Sequence, residues 1–374
     1  MAGNNGIRDL KIVRKTVFDY SPEKFITKVH PASDQVKSHV IESRETIQNI
    51  LNGEDSRRLV AMGQCSIDNP DTDKELREEI AGFSREVSPE IVIVKRDYFH
   101  KPRSSIGWKG LIIDPRLDAS FDVNEGLSLA RRILLATNEL GLPTVTEFLD
   151  RDVPQYIGDL VSYGVIGART AYSQEHRELA SGLSMPVGIK NGDDGSIPKS
   201  VDSVYAVSLH GVFLGDDNET GRPALFETTG HPSAHLILRG GGGATNYDAN
   251  SVKTALELLE KKGLPPRLVI DCSHDNTIYN GQKHYQRQEI VFEDVREQMR
   301  NNPAIRGMML EVNLVAGQQK IPSTIEEMRT FDKSTLVRGQ SITDGCLDLD
   351  TAKRLVTGLY RDMTTTTFYM GRSG

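Results

Sequence analysis

The sequence predicts a (β/α)₈ barrel, because short apolar runs alternate with amphipathic segments along most of the chain. Continuous apolar strands that alternate with helices are typical of a parallel sheet whose outer face is covered. Eight runs in 374 residues fit a closed barrel, which needs about 250 residues. A doubly wound open sheet is the alternative, but it would have fewer strands and a Gly-rich first turn. The eight runs are LVAMGQC, IVIVKR, PTVTE, VIGAR, VGIK, LILR, LVIDCSH and MMLE.

Other elements surround the predicted barrel. Apolar residues at helical spacing predict an N-terminal helix over 33–52, which Gly53 ends. We therefore predict an N-terminal extension at 1–56, with an oligomeric or regulatory role, and a catalytic barrel at 57–374. A long non-helical insert runs from Tyr98 to about Val123, and a polar turn inside 211–228 predicts an additional β-hairpin. Further helices are predicted over 123–140, 152–163 and 250–262.

Composition excludes several classes of protein. The net charge of −7 argues against a nucleic-acid footprint across the chain, and no apolar run approaches the roughly 18 residues of a membrane span. The first residues lack the apolar stretch of a signal peptide, and three cysteines fit a reducing compartment better than a disulfide framework. The sequence thus predicts a cytoplasmic protein without nucleic-acid or membrane partners.

Cationic residues recur where the apolar runs end. Such ends meet at one mouth of a barrel, where active sites lie. Taken singly, each cation is better explained as a surface residue, but the recurrence at one topological position favours a site for a substrate with several negative charges. The run-end cations are Arg96, Arg169, Lys190 and Arg239, and the loop after the second run adds Lys101, Arg103 and Lys109.

A second set of residues has metal-ligand character. Cys65, His274 and Glu311 lie at run ends, and Asp344 follows in SITDGC. One thiol, one imidazole and two carboxylates suit a divalent transition metal such as Mn, Fe, Co or Zn. Their spacing alone is a weak signal, and Cys65 or His274 taken singly fits an ordinary core residue. Glu311 is harder to explain that way, because a buried carboxylate needs a cation or donors.

Seven motifs in this order resemble the class I 3-deoxy-D-arabino-heptulosonate 7-phosphate (DAHP) synthases. That family condenses phosphoenolpyruvate with erythrose 4-phosphate and water, releases phosphate, opens the shikimate pathway of aromatic amino acid biosynthesis, and needs a divalent metal. The resemblance covers nearly the whole chain and agrees with the predicted barrel. The motifs are GQCSIDNP, KPRSSIGWKG, GARTAYSQEHRELASGL, GIKNGDDGS, ILRGG, DCSHDN and SITDGC.

The resemblance implies a role for each matching residue. It implies a metal held by Cys65, His274, Glu311 and Asp344, and catalytic groups at Lys101, Glu147, His274 and Asp344. It implies that Arg169, Lys190 and Arg239 bind the phosphoenolpyruvate phosphate, and that Arg96 and Lys101 bind its carboxylate. Arg103 and Ser104 would bind the phosphate of the aldose. Asp271 and Ser273 are expected to orient His274, and we interpret Cys272 and Cys346 as structural.

The chain also departs from the family's usual motifs. Neutral drift is one explanation, and a changed acceptor sugar or changed regulation is the other. Two further functions therefore stay open: a related phosphoenolpyruvate aldolase that uses another phosphorylated aldose, and a non-catalytic paralogue that binds metabolites. The departures are Gln64, Asp68, Asn69, Ala171, Tyr172, Asp275, Val312 and the hairpin turn GDDNETG.

Regulation and assembly are implied by the resemblance alone. Members of the family are often inhibited by an aromatic amino acid, bound near the outer helices and the N-terminal segment of a neighbouring subunit. Asp9, Leu10 and Ser184 occupy the matching positions. A homodimer or homotetramer is expected on the same basis.

Overall fold

A parallel barrel of eight strands forms the body of the protein, as the sequence predicts. The structure is a computed structural model that describes residues 28–103, 106–216 and 222–370. Neighbouring strands pair in chain order, and the first strand also pairs with the last, where Met62 lies opposite Leu310, so the sheet closes. The strands are β1 (Arg58–Gly63), β2 (Ile91–Arg96), β3 (Thr144–Glu147), β4 (Tyr163–Ile166), β5 (Val187–Lys190), β6 (His235–Leu238), β7 (Leu268–Asp271) and β8 (Ile305–Asn313).

Helices separate the strands and cover the outside of the barrel. Short 3₁₀ turns lie at Gly158–Leu160, His274–Thr277 and Lys333–Thr335. The α-helices of the described residues are α1 (Asp34–Asn52), α2 (Pro70–Val87), α3 (Val123–Glu139), α4 (Val153–Ile157), α5 (Gln174–Gly182), α6 (Ile197–Ser208), α7 (Ala249–Lys261), α8 (Arg287–Met299), α9 (Ile325–Met328) and α10 (Leu349–Met370).

The ends of the predicted helices follow from their capping residues. Ser33 caps α1 by accepting a hydrogen bond from the Val36 amide, and Gly53 ends the helix with a φ of 84°. The helix predicted over 152–163 is wrong in length. Only α4 forms there, followed by the 3₁₀ turn, and Tyr163 belongs to β4. Gly158 weakens the helix, while buried Val161 and Tyr163 suit a strand.

The interior of the barrel is filled by side chains from seven of the eight strands, all except β5, and from α1. Ile47, Ile50 and Leu51 of α1 share one buried cluster with strand residues such as Leu59 and Met309. Helix α1 thus packs against the barrel instead of standing apart from it. The division of the chain at residue 57 stays a prediction.

The predicted hairpin is present. Strands Gly211–Asp216 and Pro223–Thr228 pair antiparallel, with Leu214 opposite Leu225. Short strands also lie at Ile278–Tyr279, Gln282–Lys283, Val315–Gln318, Gln340–Ser341 and Leu347–Asp348. Across the described residues, every helix is too short or too polar to span a bilayer.

Candidate active site

The carboxyl ends of the strands surround a cavity of about 200 Å³. This is the mouth at which enzymes of this fold carry their chemistry. Most residues predicted for the site meet there, even though they come from the ends of all eight strands and from the loops that follow them. The predicted residues that line it are Cys65, Arg96, Lys101, Arg103, Glu147, Arg169, Lys190, Arg239, His274, Glu311 and Asp344.

Four potential metal donors lie at one side of the cavity. One ligand atom each from Cys65, Glu311 and Asp344 lies within 4.8 Å of the other two. The Nε2 atom of His274 lies 3.8 Å from Oε1 of Glu311. A thiol, an imidazole and two carboxylates together suit a borderline transition metal, so the donor set fits the metal that the sequence predicts.

His274 is held so that one ring nitrogen is available. The Oγ of Ser273 donates a hydrogen bond to Asp271 over 2.7 Å, so its lone pair can accept from Nδ1 of His274, 2.6 Å away. The Asp271 carboxylate also lies 3.0 Å from Nδ1. Burial lowers the pKa of His274, which favours the neutral imidazole. Nε2 therefore keeps its lone pair directed at the donor cluster, an arrangement common in metal sites.

Lys101 lies between two of the donors. Its Nζ is 3.0 Å from Sγ of Cys65 and 2.6 Å from Oδ2 of Asp344. Burial, with the nearby Glu311 carboxylate, raises the pKa of Cys65 to about 12, so the thiol is protonated at neutral pH. The Lys101 ammonium holds the pKa of Asp344 well below its ordinary value. A cation already balances these donors, and a bound metal would displace both Lys101 and the thiol proton.

Two buried cations lie beside the donors. Arg96 is fully buried, its Nη2 lies 3.2 Å from Glu311, and its Nη1 has no hydrogen-bond partner among the described residues. Lys190 pairs with Asp271 over 3.0 Å. The ring of Tyr98 lies 4.0 Å from the Arg96 guanidinium and 5.7 Å from Lys190, close enough for cation–π attraction. An unpaired buried guanidinium nitrogen is well suited to an incoming oxyanion.

Glu147 owes its place to a glycine. It ends β3, and a Cβ atom on Gly167 would lie 2.1 Å from its Oε1. Only the missing side chain at 167 therefore leaves room for this carboxylate. Nε of Arg103 donates to the Trp108 carbonyl over 2.9 Å. This bond holds the side chain of Arg103, which is predicted to bind the aldose phosphate.

Some predicted residues are not part of the cavity. Lys109 is exposed and is not among the described residues that line the cavity. Its backbone carbonyl accepts a hydrogen bond from the Lys101 amide over 2.9 Å, so it supports Lys101 indirectly. Ser104, Asp9 and Leu10 lie outside the described residues. Cys272 and Cys346 are buried and unpaired, as structural cysteines would be.

The departures from the family motifs are not part of the cavity lining. None of the seven single-residue departures is among the described residues that line it. Asn69 caps α2, Val312 is buried in the core, and Tyr172 donates to Asp194 over 2.9 Å. Two departures contact lining residues: the Gln64 carbonyl accepts from Nε of Arg96 over 3.4 Å, and Asp275 lies 3.5 Å from Arg239.

Sequence reasoning missed several lining residues. Tyr98 follows Arg96 by two positions and so points to the same side of the chain, a signal that the sequence did contain. His100, Asp193 and Lys283 also line the cavity. His100 and Asp193 lie on loops and Lys283 lies in a two-residue strand, where no periodic pattern indicates which way a side chain points.

Fold and site together define a (β/α)₈-barrel protein with a metal-type donor cluster beside an anion-binding cavity. The chain belongs to the DAHP synthetase I family, whose model matches residues 32–357. It is 42% identical over 334 residues to the Tyr-sensitive phospho-2-dehydro-3-deoxyheptonate aldolase of Escherichia coli K12, covering 89% of this chain and 90% of that one. It is 45% identical over 328 residues to the Trp-sensitive enzyme of the same strain, with coverage of 87% and 90%. The solved phospho-2-dehydro-3-deoxyheptonate aldolase of Francisella tularensis SCHU S4 superposes with a TM-score of 0.87 at 38% identity, covering 94% of this chain and 98% of that one.

Proposed function

We propose that the chain is a DAHP synthase that condenses phosphoenolpyruvate with erythrose 4-phosphate and water to give DAHP and phosphate. The observation that carries this proposal is the meeting of metal donors and cations in one cavity of a chain that belongs to this family. Cations alone would suit many anion-binding proteins. The donor cluster beside them adds a group able to activate a carbonyl.

The cations bind and orient the two anionic substrates in this proposal. Arg169, Lys190 and Arg239 bind the phosphate of phosphoenolpyruvate, while Arg96 and Lys101 bind its carboxylate. Arg103, with Ser104, binds the phosphate of the aldose. Two highly charged substrates repel each other, and fixed guanidinium and ammonium groups offset that repulsion while holding the reacting carbons close together.

Cys65, His274, Glu311 and Asp344 hold a divalent metal in this proposal. When bound, such a metal polarises the aldehyde oxygen as a Lewis acid. Asp271 and Ser273 keep Nε2 of His274 directed at the site, and Lys101 moves from the donors to the substrate carboxylate. Which of Mn, Fe, Co or Zn is used depends on availability as well as on these ligands.

Glu147 positions the water in this proposal. Carbon 3 of phosphoenolpyruvate forms a bond with the aldehyde carbon, and the aldehyde oxygen takes up a proton to become a hydroxyl group. Water adds to the positive charge that develops at carbon 2 and gives up a proton. The bond from carbon 2 to the phosphate oxygen then breaks, so that carbon 2 becomes a carbonyl and phosphate leaves. Glu147 is buried and lines the cavity, so it can accept a hydrogen bond from that water and take up its proton.

Phosphate release tests the proposed function. The purified chain is incubated with both substrates and Mn²⁺, with and without a chelator, and the seven-carbon product is identified by mass. Chelator-sensitive release with erythrose 4-phosphate supports the proposal. Release with a different phosphorylated aldose only would favour the related aldolase, and binding of phosphoenolpyruvate without release would favour the non-catalytic paralogue. None of the residues that depart from the family motifs is among the described residues that line the cavity, which argues for activity with erythrose 4-phosphate.

Feedback by an aromatic amino acid is proposed at a second cavity. The named relatives are Tyr-sensitive and Trp-sensitive. In this chain a cavity of about 1100 Å³ lies between the hairpin and the loops around α4 and α5, and Ser184, Phe213 and Phe226 line it. Inhibition assays with tyrosine, tryptophan and phenylalanine identify the effector. A homodimer or homotetramer and a cytoplasmic location stay predictions, which light scattering and cell fractionation can test.

A further inference from the structure

Charges of alternating sign cross the cavity at the predicted phosphate subsite. Nε of Arg169 lies 3.6 Å from Oδ2 of Asp193, whose Oδ1 lies 3.6 Å from Nη1 of Arg239. On its other side, Nη2 of Arg239 lies 3.5 Å from Asp275, and Asp275 lies 2.9 Å from Lys283. A carboxylate of the protein thus bridges the two arginines with one oxygen each.

The two carboxylates beside Arg239 differ in how firmly they are held. The Asp275 side chain is 14% exposed and lies 2.9 Å from Lys283, whereas that of Asp193 is 48% exposed and lies 3.6 Å from each of its two arginines, beyond hydrogen-bond distance. The Arg239 side chain is 6% exposed, and its Nε has no hydrogen-bond partner in the part of the chain that the structure describes. Asp193 can therefore leave while Arg239 stays in place and offers an unsatisfied donor.

We propose that Asp193 is an internal competitor for anions: in the substrate-free protein its carboxylate occupies the predicted phosphate subsite, and an incoming phosphate must displace it. The inference rests on the proposed function, in which Arg169 and Arg239 bind the substrate phosphate. Because the carboxylate occupies both arginines in part of the protein population, it weakens the binding of every competing anion by the same factor. A phosphoryl dianion pairs with the two arginines more strongly than a single carboxylate does, so it can still displace Asp193.

Binding of inorganic phosphate to the Asp193→Asn variant tests this inference. Calorimetry at pH 8, with ionic strength fixed by a bulky sulfonate, compares the variant with the wild type. The ion pairs of Asp193 with Arg169 and Arg239 are long and partly exposed, so each lowers phosphate affinity only modestly. Phosphate should therefore bind about 3- to 10-fold more tightly to the variant. Formate should gain affinity by about the same factor as phosphate, because both anions compete with the same carboxylate.

Two further variants locate the effect. Asp202→Asn removes the same charge from the surface pair that Asp202 forms with Lys262 at 2.7 Å, and it should leave phosphate affinity unchanged. In an Arg169→Met background, Asp193→Asn should no longer tighten phosphate binding, because one of the two cations that Asp193 bridges is missing. Asp193→Ser serves as a second substitution where Asp193→Asn folds poorly.

Three results would overturn the inference: phosphate binding to Asp193→Asn that is unchanged or weaker, an equal gain in Asp202→Asn, or a gain that persists without Arg169. Its failure differs from a failure of the proposed function. Tighter phosphate binding by the variant of a chain that releases no phosphate from the substrates would leave the competition by Asp193 standing and remove the proposed enzyme activity. Turnover by a variant whose phosphate affinity has not changed would do the reverse.

Discussion

Lys95 lies at the centre of a buried ionic network behind the active-site wall. Its Nζ donates to Asp73 over 2.8 Å, to Asp97 over 2.7 Å and to the carbonyl of Arg96 over 3.1 Å. Arg77 completes the network with a 2.6 Å bond to Asp73. The side chains of Lys95, Asp73 and Asp97 are fully buried, so two cations balance two carboxylates without help from water.

Replacing Lys95 by methionine keeps most of the side-chain volume and leaves one negative charge uncompensated. Breaking a buried ion pair from one side costs about 3–5 kcal/mol in the free energy of unfolding. The deficit should shrink as the pH falls. Burial raises the pKa of Asp97 to about 6 even beside Lys95, and the variant loses that opposing cation. The native state of the variant therefore binds a proton that the unfolded chain releases, so its penalty is larger at pH 8 than at pH 5.

Urea unfolding at both pH values, followed by circular dichroism, measures the effect. Lys253→Met is the matched control, because Lys253 and Glu257 form an exposed pair at 3.8 Å that contributes about 0.5 kcal/mol or less. The combined variant Arg77→Leu/Asp73→Ala/Lys95→Met/Asp97→Val should regain most of the stability, since an apolar set has no charge to compensate. A loss below about 1 kcal/mol in Lys95→Met, or a combined variant as unstable as the single one, would refute this reasoning.

Three more predictions concern the loops at the carboxyl ends of the strands. Burial raises the pKa of Asp68 to about 7, so native stability falls as the pH rises from about 4 to about 7. Asp68→Asn should therefore be more stable than the wild type at pH 8 but not at pH 4. Equal shifts of the melting temperature at both pH values would contradict this. Cys65→Ala should bind Mn²⁺ or Zn²⁺ at least about 10-fold more weakly, as judged by metal content after dialysis, whereas retained metal would remove Cys65 from the site. Gly110 has a φ of 111°, and a Cβ there would lie 2.2 Å from the Phe99 carbonyl, so Gly110→Ala should displace the loop with Lys101 and Arg103 and lower activity. Gly82→Ala in α2 meets nothing within 4 Å and should stabilise the chain by about 0.5–1 kcal/mol, so an equal effect of the two glycine variants would count against the steric explanation.

The barrel could be predicted because its strands are buried on both faces. Each apolar run therefore stands out against the polar loops, and the residue that ends it, such as Arg96 or Lys190, enters the mouth. The helix over 152–163 was predicted too long, because its apolar spacing continues through Val161 into Tyr163, the first residue of the next strand. Periodicity alone does not separate the end of a helix from the start of a strand.

Pairs of loop and helix residues could not be predicted. Asp73 and Arg77 look like the solvent side of an amphipathic helix, and only the fold brings Lys95 between Asp73 and Asp97. Asp193 is similar, because its two arginines come from other strands. Such contacts depend on distances between elements far apart in the chain, and composition and spacing do not record those distances.

The pairing of β1 with β8 also has a consequence during synthesis. About 250 residues separate the two strands, so the barrel cannot close until nearly the whole chain has been made. Until then, Ile47, Ile50 and Leu51 of α1 and one edge of the sheet lack their final cover. Emerging chains therefore expose apolar surface and an unpaired strand edge, both prone to aggregation, for most of their time on the ribosome. Chaperones that bind such surfaces should raise the yield of native protein.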